Sequence, residues 1–223
     1  MATIGTFPPP EETRSKLMIA AAEVFSEVGY HGATTREICA RAGANIAAVN
    51  YHFGDKLGLY TEMLRGAVLQ GEYRMADPSS STTPEEALRK FIVGMFRKMS
   101  EGDRPAWYVK VMTHELAQPT PGLAAVVENL IRPNAQILCD IVGKIIDRPP
   151  LHPQTRMCVH SIIGQVVHYM HARPVIGLLW PEWKLSRQSQ DEIAKHIADF
   201  SLAALKGIRK QTATGEVAKG RSK

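Results

Sequence analysis

Apolar residues recur along this chain at helical spacing almost from end to end. Leu17, Ala21, Val24, Phe25 and Val28 form one stripe with a repeat near 3.6 residues, which predicts a helix over 13–28 that Gly29-Tyr30-His31-Gly32 ends. Thr34 and Glu37 then make a Thr-x-x-Glu capping box, a start signal for a short helix in which Ile38 and Ala42 share a face. Gly43 supplies the left-handed residue that stops it. Asn45 can cap a second short helix whose inner face is Val49 and Phe53. Asp55 caps a fourth helix with Leu57, Tyr60, Met63, Leu64 and Val68 on its apolar side, running to about Tyr73. Asp77 to Pro84 is a run of turn formers and a natural hinge.

Beyond the hinge the pattern stays helical. Pro84 suits the first position of a helix to Ser100, with Leu88, Phe91, Ile92, Met95, Phe96 and Met99 apolar. Pro105 opens another that carries Trp107, Tyr108, Val111, Met112 and Leu116, closed by Pro119 and Pro121. A long pattern over 123–146 contains Pro133, which kinks or splits it. Helices over 153–171, 174–179 and 189–209 follow. No alternating strand and no internal repeat appears, so the predicted fold class is all-α, with about nine or ten helices. The expected layout is a loose Pro-rich arm over 1–11, a three-helix helix-turn-helix domain over 12–56, a linking helix over 57–75, a larger helical domain over 84–209 and a basic, disordered tail over 210–223.

With 223 residues, 44% of them apolar and 22% charged, the chain has the composition of an ordinary globular protein and length for one large or two modest domains. No apolar run approaches the roughly 18 residues of a membrane span, so no membrane partner is expected. The start Met-Ala-Thr-Ile-Gly-Thr-Phe has neither the basic nor the apolar region of a secretory signal. Cys39, Cys139 and Cys158 are odd in number and far apart, which argues against a disulfide framework and for a reducing cytoplasm.

The net charge of +5 suggests nucleic acid only until its distribution is read. Residues 206–223 hold six Lys or Arg against one acid, whereas residues 1–75 hold seven against eight. The excess belongs to the tail and gives the helix-turn-helix region no electrostatic support. What points to DNA is the outer face of the helix after Asn45, where Asn45, Ala47, Ala48, Asn50, Tyr51 and His52 are small, polar or aromatic. Small residues admit close approach to a major groove, and amides read base edges.

Other chemistries fare worse. His114-Glu115 begins like a His-Glu-x-x-His zinc motif, but position 118 is Gln. His160, His168 and His171 lack Cys or carboxylate partners at ligand spacing, so no metal is expected. No Gly-x-Ser-x-Gly, P-loop or dinucleotide fingerprint is present, and no catalytic residue, enzyme activity or cofactor is assigned.

The N-terminal residues resemble the DNA-binding domain of the TetR family of bacterial transcriptional regulators. The likeness is carried by Ala21-Ala22-Glu23-Val24-Phe25, by Gly29 through Ile38, by Ala42-Gly43, by Asn50-Tyr51-His52-Phe53-Gly54-Asp55-Lys56 and by Leu59-Tyr60. His114-Glu115-Leu116, Gln118-Pro119-Thr120, Ile131-Arg132-Pro133 and Gly164-Gln165 are similar to the CecR-like branch of that family. Gly58 departs from the pattern, since a better helix former is usual there.

The resemblance implies a cytoplasmic homodimer that presents two recognition helices to a palindromic, double-stranded operator, most simply as a repressor released by a small-molecule inducer. It implies DNA contacts from Thr35 and Arg36, base readout by Asn45 and Asn50 beside Ala47 and Ala48, and phosphate contacts from Tyr51, His52 and Lys56. Asn45 can instead be only a cap, and Tyr51 can instead pack between helices. An inducer pocket is expected among the helices from Pro84 to His171, lined by Phe91, Met95, Met99, Trp107, Val111, Met112 and His114. The helices over 153–171 and 189–209 are expected to form the dimer bundle; Trp180 and Trp183 suit either a pocket or the dimer edge. Two rival readings stay open: an all-α enzyme with a vestigial DNA-binding domain, and an architectural DNA binder without an inducer.

Overall fold

The computed structural model describes residues 10–69, 83–100, 106–183 and 186–220. Every regular element within them is helical: α1 (Pro10–Gly32), α2 (Thr35–Ala42), α3 (Ile46–Phe53), α4 (Lys56–Leu69), α5 (Pro84–Ser100), α6 (Ala106–Ala117), α7 (Gly122–Val126), a π-helical turn (Val127–Ile131), α8 (Arg132–Ile146), α9 (Pro153–His171), α10 (Arg173–Leu179) and α11 (Arg187–Gly220). The all-α fold with a helix-turn-helix at its start is therefore as read from the pattern. The N-terminal arm up to residue 9, most of the hinge and the last turn of the linking helix lie outside the described residues.

Breaks fall where the breakers are. Gly29 (φ 70°) interrupts α1, whose last turn continues to Gly32. Pro133 splits the long pattern, becoming an early residue of α8 after the π-helical turn. α11 differs from expectation by running on past Arg209 to Gly220, because the basic segment contains no proline to stop it.

The helices fall into two compact units, one made of α1–α4 with α6 and α7, the other of α5 with α8–α11. α6 and α7, which lie within the expected 84–209 stretch, pack with the helix-turn-helix. In the first unit Leu17, Val24, Phe25, Ile38, Val49, Leu59 and Leu64 are fully buried. Tyr60 stands at its centre, its ring edge-on to Phe25 with centroids 4.7 Å apart and tilted against Tyr30 at 5.0 Å.

A buried polar network explains why α6 and α7 join this unit. The Glu115 carboxyl is 1% exposed. Its Oε1 accepts from the Tyr60 hydroxyl at 2.5 Å and from Thr120 Oγ1 at 2.7 Å, and its Oε2 accepts from the Thr120 N–H at 3.0 Å. Thr120 Oγ1 in turn accepts from the Gly122 N–H at 3.2 Å, at the start of α7. Burial, and then the adjoining Glu115 carboxyl, push the Tyr60 phenol far above its ordinary value, so it remains a donor.

The second unit has its own core, built from Leu88 and Phe96 of α5, Leu138 and Val142 of α8, Ile162 and Val166 of α9, and Ile197 and Leu202 of α11. On its surface Arg97 Nη2 meets Asp191 at 3.0 Å and Arg89 meets Asp199 at 2.5 Å, tying α5 to α11. Exposed pairs of this kind contribute at most about 1 kcal/mol each; the apolar core does the holding.

Tyr60→Phe removes one donor from a buried carboxyl and should lower unfolding stability by about 1–3 kcal/mol in urea titration. An unchanged midpoint would show that the network does not stabilise the first unit.

Candidate nucleic-acid interface

The helix-turn-helix is defined at every joint by a specific bond. α2 starts where Thr34 Oγ1 accepts from the Glu37 N–H at 3.2 Å. It ends in a Schellman motif: Gly43 is left-handed (φ 63°, ψ 32°), its N–H donates to the Ala40 carbonyl at 3.3 Å, and the Ala44 N–H donates to the Cys39 carbonyl at 2.9 Å. The Cys39 thiol, raised above its usual value by burial, donates across the turn to the Asn45 carbonyl at 3.7 Å. α3 starts where Asn45 Oδ1 accepts from the Ala47 N–H at 3.1 Å. Val49, fully buried, is its anchor.

The α3–α4 turn accounts for the departure at Gly58. Asp55 Oδ1 accepts from the Gly58 N–H at 2.7 Å, and a Cβ at residue 58 would lie 2.0 Å from the Phe53 carbonyl oxygen. Backbone cannot yield there, so the helix former expected at this position has no room.

Each candidate DNA residue can now be placed. Arg36, Asn45, Ala47, Asn50 and Tyr51 are exposed, Tyr51 at 80%, whereas Thr35, Ala48, His52 and Lys56 are half-buried. Tyr51 therefore does not pack between helices; among the described residues its ring meets that of His52, edge-on at 4.9 Å. Asn45 is a cap, and its Oδ1 is engaged. Asn50 has no side-chain partner among the described residues and keeps both amide functions for a base edge. Lys56 is the largest surprise. Its ammonium donates to the carbonyls of Tyr30 and Ala33 at 2.9 and 3.0 Å and lies 4.3 Å from the Tyr30 ring centroid. It binds the end of α1, which leaves one N–H for a phosphate.

The candidate inducer residues do not come together within either unit. Phe91 and Met95 belong to the core of the second unit. Trp107, Val111, Met112 and His114 lie on α6 in the first, and the Met99 side chain is outside those described. His114 sits against the α1 break, where a Cβ on Gly29 would meet its Nδ1 at 3.1 Å. Spacing alone does not reveal Glu115 and Tyr60 as partners, because a buried carboxyl looks like a surface one in sequence. Among the described residues no three His, Cys, Asp or Glu side chains gather as a metal group, and no helix is long and apolar enough to cross a membrane.

Comparison with known proteins agrees with this geometry. The model of the bacterial regulatory proteins of the tetR family matches residues 17–63. The model described as the C-terminal domain of the HTH-type transcriptional dual regulator CecR matches residues 84–208, more than half of the chain. The chain belongs to the CecR-like branch of the TetR family. It is thus a helix-turn-helix transcriptional regulator that binds DNA. CecR of Shigella flexneri is 27% identical over 197 residues, 82% of this chain and 86% of that one. The transcriptional activator FasR of Mycolicibacterium smegmatis is 46% identical over 57 residues, 26% of each chain. The regulator FadR of Bacillus subtilis, solved with stearoyl-CoA, shares the fold at a TM-score of 0.60 with 18% identity, over 84% of this chain and 97% of that one. Both sequence relatives are transcriptional regulators.

The two asparagines of this TetR-family motif should separate cleanly. Asn50→Ala should weaken specific DNA binding by about 1–3 kcal/mol with unchanged thermal stability. Asn45→Ala should cost about 1 kcal/mol of stability through the lost cap, and Asn45→Asp should restore it. Anisotropy and thermal denaturation on the same preparations check both.

Proposed function

We propose that this protein is a homodimeric repressor of the bacterial cytoplasm, which lays α3 of each protomer into successive major grooves of a palindromic operator and lets go when a small molecule binds. The observation that carries the DNA contact is the outer face of α3. Asn50 is unpartnered among the described residues, Tyr51 is exposed, and Ala47 and Ala48 let the helix backbone come close. Thr35 and Arg36 of α2 flank that face, with Tyr51, His52 and the remaining Lys56 donor as phosphate contacts that set the register.

Support for the dimer comes from the second unit. Val159, Val166 and Met170 of α9 and Ile193, Ile197, Leu202 and Leu205 of α11 are used up in its own core. A second, exposed face remains along the same two helices, a groove lined by Met157, Ser161, Gln165, Phe200, Ala204 and Ile208. Phe200 is 59% exposed and Met157 62% exposed. Gly164 has open space in front of it, as a helix approached closely by another requires. The exposed side chains of Leu178, Leu179 and Trp180 add apolar surface to the same unit.

For the ligand, the stearoyl-CoA bound to the fold neighbour FadR is a precedent for the fold. An inducer acts only through its differential affinity for the DNA-competent and DNA-incompetent conformers.

Chromatin-type footprinting with the full-length protein should reveal a two-fold site upstream of the genes it controls, and deleting its gene should raise their transcripts. Lowered transcripts would make it an activator, and absence of any site would remove the DNA reading. Phe200→Glu should convert the dimer to a monomer in sedimentation equilibrium and weaken operator binding at least tenfold. A wild-type chain that stays monomeric at every concentration would contradict the dimer.

A further inference from the structure

Three helices meet at one ammonium group. Past the break at Gly29, the final turn of α1 ends, like any helix, in carbonyls that no later turn can satisfy. Lys56, the first residue of α4, donates to two carbonyls at this corner, those of Tyr30 at 2.9 Å and Ala33 at 3.0 Å. Ala33 is buried and immediately precedes the Thr34 cap, so the second bond fixes the point from which α2 sets out. Both acceptors are neutral. No carboxylate pairs with Lys56 among the described residues, and Oδ1 of the neighbouring Asp55 is taken by the Gly58 N–H at 2.7 Å. The ammonium therefore keeps its full charge and one N–H.

The remaining contact of that ammonium is a ring. Tyr30 is half-buried, and its ring centroid lies 4.3 Å from Lys56 Nζ, within cation–π range. The ring is itself wedged by its neighbours, with centroids at 5.0 Å to Tyr60, 5.3 Å to His31 and 6.1 Å to Phe25. Burial, and then the Asp55 charge, push the Tyr30 phenol above its ordinary value, so the ring stays neutral. A lysine left to itself spreads its charge over many rotamers; this one is confined by two carbonyls and an aromatic face. We infer that Tyr30 is a positioning residue for DNA binding, whose ring confines the Lys56 ammonium where its carbonyl bonds fix the start of α2 and its remaining N–H takes a phosphate. Tyr30 itself touches no DNA and acts through Lys56. The inference rests on the reading of Lys56 as a phosphate contact and adds that a neutral side chain sets part of the electrostatic component of binding.

The test compares salt dependences. The full-length protein is used to select a duplex from a random-sequence pool, and its binding is followed by fluorescence anisotropy across a range of potassium chloride. Wild type is set beside Lys56→Gln, Tyr30→Leu, Tyr30→Phe and the double variant Lys56→Gln with Tyr30→Leu. The six Lys and Arg of residues 206–223 are present in every variant and cancel in the comparison. Lys56→Gln should make the slope of log affinity against log salt about 1.8 shallower, two phosphates per dimer at about 0.9 each. Tyr30→Leu removes no charge, yet it should make the slope at least about 0.5 shallower and weaken binding at least about threefold. Tyr30→Phe keeps the ring and should match wild type. Adding Tyr30→Leu to Lys56→Gln should change affinity by less than about twofold, because the ring then has no ammonium to hold. A wild-type slope in Tyr30→Leu beside a shallower one in Lys56→Gln overturns the inference alone, as do additive losses in the double variant. An unchanged slope in Lys56→Gln removes the phosphate contact and the inference with it. Failure to enrich any sequence removes the DNA reading itself. Should Tyr30→Leu not fold by circular dichroism, Tyr30→Met takes its place with the same outcomes.

Discussion

The first unit depends on a carboxyl group that has no contact with water. Burying an ionisable group costs several kcal/mol unless its oxygens are met by donors. Glu115 meets three, from Tyr60 and from both the hydroxyl and the N–H of Thr120. That requirement is directional, unlike apolar packing, and so it specifies register: slide α6 along α4 and the Tyr60 donor is lost. From Tyr60 the constraint passes by ring contact to Tyr30, from the face of Tyr30 to the Lys56 ammonium, and from that ammonium to the carbonyl of Ala33, one residue before the Thr34 cap of α2. A single hydrogen-bonded carboxyl on α6 thereby reaches the first turn of the helix-turn-helix through side chains that are each in contact with the next.

This chain of contacts shows what a sequence can and cannot disclose. Caps are local, and Thr34, Gly43, Asn45 and Asp55 did in the structure what their spacing implied, because each bond closes within six residues. Proline 133 split its helix for the same reason. The partner of Glu115 lies fifty-five residues away, and nothing in a one-dimensional pattern distinguishes a carboxyl that will be buried from one that will be solvated. That α6 and α7 pack with the helix-turn-helix is illegible in the pattern for the same reason. Lys56 illustrates it on a smaller scale. The family resemblance makes it a candidate phosphate contact, and only the fold brings the α1 carbonyls to its ammonium.

Gly58 is the opposite case, where the sequence looked weaker than the structure is. Helix propensity sets glycine about 1 kcal/mol below alanine, which made position 58 an anomaly. A Cβ placed 2.0 Å from a carbonyl oxygen costs far more than that propensity difference. The tight α3–α4 turn and the Asp55 cap that bonds the Gly58 N–H are one device, and glycine is the residue it allows.

A recognition helix of eight residues is too short to be stable in water by itself, since nucleation is costly and isolated helices become populated only at about 12–15 residues. α3 exists because its two ends are capped by Asn45 and by the Gly54 N–H on the Asn50 carbonyl, and because Val49 is fully buried beneath it. Those anchors occupy the inner face and the termini; they leave Asn50 outward with no side-chain partner among the described residues and Tyr51 outward against the His52 ring. The backbone of the helix is therefore held while the Asn50 side chain is free, the combination that base-edge recognition needs. On the proposed DNA reading, stability and recognition are thus carried by different residues of one short helix, Val49 for the first and Asn50 for the second.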